Sequence, residues 1–368
     1  KIGQMRVANV RANPRTSLVA VMDLNADAAR AIAPGTPVFT DLERFLDVPM
    51  DAVIISTPAH VREPLCLAAF ARGLHVLSEK PLHHTVEGSR RIIAAARAAK
   101  RHLGAGFNMR YYPAFAHVRD IIGAGSIGEV DHIRIYGGHE GLPKFAYDWE
   151  YKAEFSGGGA LWDVGIHMTD MARHLMGEIT EVYGIATNKV WGVPGSEDNA
   201  MAIFKSPTGV AASYQACWSD WKGYQSMVEV YGTHGMVRGA YAPMQTLTLT
   251  MDRPGSTVRR VKNRYPAIQI REKLRSWKTT ALASFAAELQ DFLSLVEGRE
   301  GLDPVLRGGL YAAEAEAAWL QGRPDEVAVL IGTALDDLQG TGTAFEVAAL
   351  AGSTVLQTFV GLDGRPAL

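Results

Sequence analysis

The chain has 368 residues, with 37 Lys plus Arg against 39 Asp plus Glu, a formal net charge of -2, and two cysteines. That balance excludes the basic footprint of a nucleic-acid binder, the cysteine count excludes a disulfide scaffold, and no apolar run reaches the ~18 residues needed to span a membrane. The length suits two domains with a cleft between them, and the expectation is a small-molecule protein of a reducing, cytoplasmic compartment, with Lys1-Ile2-Gly3-Gln4 showing no signal peptide.

In chain order, residues 1–13 read as a helix stopped by Pro14, with Gly3 in its first turn. Gly3 fits the third glycine of G-x-G-x-x-G, where a helix N-terminus holds a pyrophosphate. The strand and the two glycines that go with it would then lie before residue 1. Residues 17–22 read as a strand ending in Asp23, near the spacing at which a carboxylate grips the adenosine ribose of NAD and repels the 2′-phosphate of NADP. An ordinary capping Asp is the alternative at this point.

Residues 51–82 carry the clearest unit: the apolar run Ala52 to Ser56, a helix with an apolar face closed by Gly73, and a second run, Leu74 to Ser78. Two such runs joined by a helix make a parallel βαβ unit, whose ligands bind beyond the carboxyl ends of the strands. Thr57-Pro58-Ala59-His60 stands at the first end and Glu79-Lys80-Pro81 at the second. A solvated loop pair is the bland reading of Glu79 and Lys80. A helix over 85–101 and a strand over 103–109 follow, leading into Asn108-Met109-Arg110, and the first domain is expected to end near residue 110.

Beyond it the rhythm changes to consecutive strands, near 181–187, 199–204, 210–217, 227–231, 236–239 and 246–251, with few helices between them. This implies an antiparallel or mixed sheet in an α+β substrate domain over 111–322, with an open face suited to a homo-oligomer contact. The cluster Arg259, Arg260, Lys262, Arg264 reads as a solvated loop. Helices are expected over 284–295 and 310–320, followed by an atypical tail, 323–368, in which Val327 to Ile331 reads as a buried strand that could take the place of the first one.

Residues 157–175, GGGALWDVGIHMTDMARHL, run from three glycines into a helix on which Asp163 and His167 sit four apart, hence on one face. A buried, hydrogen-bonded histidine is the structural alternative, and helical spacing alone would also allow a metal site of His167, Asp170 and His174. T-P-x-H, H-V-L-x-E-K-P, N-x-R and D-x-x-x-H, in this order, resemble the glucose-fructose oxidoreductase, inositol dehydrogenase and MocA family. The resemblance covers roughly residues 1–320. It implies a Rossmann-type α/β domain followed by the open-sheet domain, and Lys80, His167 and Asp163 around the carbon that exchanges hydride with NAD. Cofactor contacts are expected from Gly3, Asp23, Thr57, Pro58, His60, Glu79, Lys80 and Asn108, and substrate contacts from Arg110, Tyr147, Trp149 and Trp162.

Oxidising a secondary alcohol requires its hydroxyl proton to leave, and an imidazole with a pKa near ~6.5 is a competent acceptor. His167 is the expected base. Lys80 supplies positive charge where the alkoxide develops, or relays the proton itself, while Asp163 orients His167 or binds a neighbouring hydroxyl. The cofactor takes the hydride, so no metal is required. Tyr111, Tyr147, Trp149, Trp162, Trp218 and Trp221 suit the apolar faces of a sugar or cyclitol. A silent dinucleotide-binding sensor and an NAD-dependent glycosidase remain open as alternatives.

Overall fold

The computed structural model describes residues 2–298 and 359–361. α1 (Ile2–Ala12) leads to β1 (Val21–Met22), α2 (Ala26–Ile32), β2 (Val38–Phe39) and α3 (Leu42–Leu46). The strand expected over 17–22 keeps only its last two residues. Among the described residues β1 is laddered on one side only, in parallel with the equally short β2. Asn25 and Asp41 open α2 and α3 by accepting from the backbone N–H of Ala28 and Arg44, the usual work of such side chains at a helix start.

β3 (Ala52–Ile55), α4 (Arg62–Ala71), β4 (His75–Glu79), α5 (Val86–Ala99) and β5 (Leu103–Gly106) form the expected parallel unit, in sheet order β3-β4-β5. The sheet is buried on both faces. Val53, Ile55 and Val76 pack with Cys66, Phe70, Ile92 and Ile93 of α4 and α5, while Leu77 turns the other way, onto Leu289 and Phe292. Those last two residues belong to a helix near the far end of the described chain, which returns to cover this face beside α1.

The second half runs through α6 (Pro113–Gly123), β6 (Val130–Gly138), α7 (Ala153–Ser156), a π-helical turn (Leu161–Gly165) and α8 (Ile166–Met176). It continues through β7 (Glu181–Thr187), β8 (Asn199–Lys205), β9 (Ala211–Cys217), β10 (Gln225–Gly232), β11 (Gly235–Tyr241), β12 (Gln245–Thr250) and β13 (Arg259–Asn263). α9 (Pro266–Arg275), α10 (Lys278–Val296) and β14 (Phe359–Gly361) complete the described chain. The sheet order is β13-β12-β11-β10-β6-β9-β8-β7-β14, antiparallel except for the parallel pairs β6 with β9 and β7 with β14. Phe115 and Val118 of α6 and Met168 and Met171 of α8 cover one face, against Ile133, Ile135, Val228 and Val230.

Three expectations change. The basic cluster at 259–262 is an exposed edge strand rather than a loop, and Arg and Lys on an edge discourage further strand pairing. α9 was not expected from the sequence, and none of its residues is buried: Ile270 and Leu274, one turn apart, are both exposed. α10 begins well before residue 284 and serves the first sheet. The helix expected over 310–320 and the strand over 327–331 lie outside the described residues.

Candidate active site

The site grows from the carboxyl end of β4. Glu79, the last strand residue, is buried, and its Oε1 accepts from Arg6 Nε at 2.8 Å. Arg6 also reaches Glu288 Oε2 of α10 at 2.5 Å. Burial alone would lower the Arg6 pKa, but the two carboxylates outweigh it and raise it. The same burial pushes the Glu288 carboxyl up to about 7 against the pull of Arg6. The Glu79 side chain, expected on the cofactor, is therefore an internal ion-pair partner that ties α1, β4 and α10 together. Alternation along the chain sends Lys80 the other way.

Arg62, at the start of α4, holds the two strand-end loops to each other. Its Nε donates to the carbonyl of Thr57 at 2.8 Å and its Nη1 to that of Glu79 at 2.6 Å and to that of Pro81. The backbone is thus pinned on both sides of Lys80. Burial lowers the Arg62 pKa to about 10, partly offset by Glu79. A guanidinium suits this role because its fixed fork reaches several acceptors at once.

Lys80 Nζ donates to the Asp163 carbonyl at 2.8 Å and stands 3.7 Å from Asp163 Oδ1. Asp163 Oδ2 lies 2.7 Å from His139 Nε2 and accepts from Trp218 Nε1 at 3.1 Å. The Gly141 N–H can only donate and does so to His139 Nδ1 at 3.0 Å, which leaves the ring proton on Nε2, facing Asp163. Burial works to raise the Asp163 pKa, but the hydrogen bond from His139 and the charge of Lys80 overcome it and hold the carboxyl far below its ordinary range. Asp163 is an anion between an imidazole donor and an ammonium.

His167 is buried, with Nδ1 unpartnered among the described residues and its ring edge-on to Phe107 at 6.1 Å between centroids. Burial, then the charge of Lys80, lowers its pKa well below the ordinary imidazole value, with Asp163 opposing. The expected Asp163 to His167 hydrogen bond is absent. Asp163 lies in the π-helical turn Leu161–Gly165, ahead of the regular helix that carries His167, and its carboxylate turns to His139 instead.

Other expected site residues are held elsewhere. Asn108 Nδ2 donates to Ser284 Oγ at 2.8 Å, and Arg110 Nε to Asp170 Oδ2 at 2.6 Å, in a two-pronged pair that also occupies the carboxylate of the metal alternative. Tyr111 donates to Asp291 Oδ2 at 2.8 Å and Trp218 is fully buried, so neither ring is an open cleft wall. Trp162 is half-buried against Gly157 and Gly158, Trp149 is half-buried, and Tyr147 is 65% exposed. The site residues that the sequence did not single out are His139, Arg62 and Arg6. His139 follows Gly137-Gly138 at the end of β6, a lone histidine at a strand end, and that was its one available signal.

The dinucleotide end can be tested on the chain itself. The first turn of α1 carries no acidic residue, and a Cβ on Gly3 would make an ordinary 3.8 Å contact with Ser56 Cβ, so the helix N-terminus lies beside the end of β3. Thr57 Oγ1 and His60 Nδ1 are buried there with no hydrogen-bond partner among the described residues. Asp23 is exposed at the end of β1, beside Leu24, which is 87% exposed. A helix N-terminus, orphaned polar atoms and a carboxylate beside open apolar surface fit the phosphates, ribose and adenine of NAD.

Comparison with known proteins agrees. Residues 1–107 match the family described as "Oxidoreductase family, NAD-binding Rossmann fold", and residues 115–238 match the "GFO/IDH/MocA C-terminal domain". The inositol 2-dehydrogenase of Rhizobium meliloti (strain 1021) is 30% identical over 328 residues, 86% of this chain and 93% of that protein. The 1,5-anhydro-D-fructose reductase of Ensifer adhaerens is 30% identical over 241 residues, 63% of this chain and 72% of that protein. In fold, the chain is similar to a levoglucosan dehydrogenase solved with NADH and levoglucosan, at 23% identity and a TM-score of 0.72, covering 89% of this chain and 96% of that one. The motifs, both family matches and the near full-length likeness to an inositol dehydrogenase agree: this chain belongs to the GFO/IDH/MocA family of NAD-binding oxidoreductases.

Proposed function

We propose that the protein is an NAD-dependent dehydrogenase acting on a secondary hydroxyl of a sugar, sugar derivative or cyclitol. The observation that carries this is the convergence of Lys80, Asp163 and the neutral His167 just beyond the carboxyl ends of the parallel strands. NAD, when bound, supplies the hydride acceptor. The chain's own residues then handle the proton and the charge. His167, neutral at physiological pH, takes the hydroxyl proton; its Nδ1 is buried, so the substrate meets Nε2. The Lys80 ammonium faces the oxygen as negative charge builds on it. His139 and Trp218 hold Asp163 ionised and fixed, and Asp163 fixes Lys80. The relatives' names, inositol 2-dehydrogenase and 1,5-anhydro-D-fructose reductase, support the polyol class.

The test is a panel of sugars and cyclitols with NAD, following both reduced-cofactor absorbance and glycosidic bond cleavage. Reduction of NAD by at least one polyol is expected. Cleavage without net reduction would make the protein a glycosidase, and NADH binding with neither signal would make it a sensor.

The preference for NAD over NADP is read from Asp23, an exposed carboxylate at the end of β1 that would stand against a 2′-phosphate. Asp23→Ser is expected to narrow the NAD preference by about tenfold, roughly 1.4 kcal/mol. Equal use of both cofactors by the wild type would return Asp23 to a turn residue, consistent with its acceptance of the Asn25 N–H at 2.8 Å.

The chain is also proposed to form a homo-oligomer through the open sheet face. Tyr183 lies opposite Ile203 and Ile185 opposite Met201, and all four side chains are exposed, with Tyr183 at 73% and Met201 at 54%. An apolar patch this regular on a sheet face suits a self-complementary contact. Ile203→Glu should shift the sedimenting species toward monomer. A wild-type monomer, or an unaltered oligomer in the variant, would remove this face as the interface.

A further inference from the structure

We infer that Glu197, two residues before β8 and outside the substrate-facing residues, is a positioning residue that clamps the beginning of the active-site helix through three successive backbone N–H groups. Its carboxylate accepts from Gly159 N through Oε2 at 3.0 Å and from Leu161 N through Oε1 at 2.7 Å, and its own carbonyl accepts from Ala160 N at 2.8 Å. These are donors that a helix start leaves unpaired. The clamped backbone runs directly into the turn that carries Asp163 and on to His167. The approach is so close that a Cβ on Gly159 would stand 1.9 Å from the Glu197 carbonyl oxygen, which explains the glycine there.

The clamp needs both carboxylate oxygens as acceptors. A glutamine keeps the shape but turns an N–H toward one of the two donors. Protonation does much the same, because one oxygen becomes a hydroxyl. Burial drives the Glu197 carboxyl up to about 7; the Gly159 and Leu161 N–H bonds oppose this, and Asp198, the charged neighbour, adds to it. Asp198 is itself held by the N–H groups of Val190 and Trp191, and the Tyr214 phenol, also facing Glu197, is raised by burial and stays neutral. The clamp is therefore complete above neutrality and loosens as the pH falls through about 7.

The inference rests on the dehydrogenase reading for its kinetic consequence but not for its structural one, so two measurements are made on the full chain. Hydrogen exchange of the peptide spanning 157–165 should show protected amides at 159–161 in the wild type, exchanging about tenfold or more faster in Glu197→Gln. With an active polyol, Glu197→Gln should lower kcat by about 10- to 100-fold, keep KM for NAD within about threefold, and lose any fall in kcat between pH 8 and 6. Unchanged exchange at 159–161 overturns the clamp even if no substrate is found. A variant within twofold of wild-type kcat overturns its catalytic consequence. Should Glu197→Gln not fold, the wild type decides: exchange at 159–161, corrected for intrinsic rate, must rise as pH falls from 8 to 6, and a constant corrected rate refutes the assignment.

Discussion

Lys80→Met lowers the rate of NAD reduction by about 100-fold or more, roughly 2.7 kcal/mol of barrier or greater, while NADH affinity stays within about threefold. Methionine keeps most of the stem volume, so the loops pinned by Arg62 at the Thr57, Glu79 and Pro81 carbonyls need not move. What disappears is the ammonium that stands 3.7 Å from Asp163 Oδ1. The loss acts twice. The developing alkoxide loses its counter-charge, and the Asp163 carboxylate, still held ionised by His139, becomes an uncompensated negative charge beside it. Both effects appear in the transition state far more than in the ground state, which places them in kcat. Steady-state rates with an active polyol, together with a NADH titration, check the split. Turnover near the wild-type level would take Lys80 out of the chemistry.

His167→Ala is expected to be about 100-fold slower at pH 7, with the deficit narrowing toward pH 10 as solvent base replaces the imidazole. The sequence alone suggested that His167 titrates between pH 6 and 8. In the fold its pKa is lowered well below the ordinary value by burial and by Lys80, so it is a proton acceptor throughout that window and its acid limb lies lower. A limb seen between pH 6 and 8 should therefore survive in the variant. The same shift has a stability consequence of defined sign. The native imidazole stays neutral while the unfolded one takes a proton below ~6.5, so the unfolded state binds more protons and His167 costs stability as pH falls through that value. The difference in Tm between wild type and His167→Ala should shrink from pH 7.5 to pH 5.5. Turnover within about threefold of wild type would move the base role to Lys80.

Elements whose cause is local were legible in the order of residues. The apolar runs before Thr57 and Glu79 are strands because β-branched residues bounded by loop formers leave little alternative, and a parallel unit presents its ligand end where those runs stop. Lys80, Asp163 and His167 were legible because they follow a strand end and a glycine turn. What those side chains touch depends on how distant elements pack. Asp163 was expected beside His167, four residues on, and instead meets His139 and Trp218, 24 and 55 positions away, at the ends of β6 and β9. Glu79 was expected to face the cofactor and instead meets Arg6, 73 positions away, and through it Glu288. Arg110 closes on Asp170, and Glu197 on the backbone of 159–161. These pairings depend on sheet register and on a helix returning from the far end of the chain. Each side chain takes the partner that satisfies its buried charge or donor, and no period of the local sequence records which element will supply it.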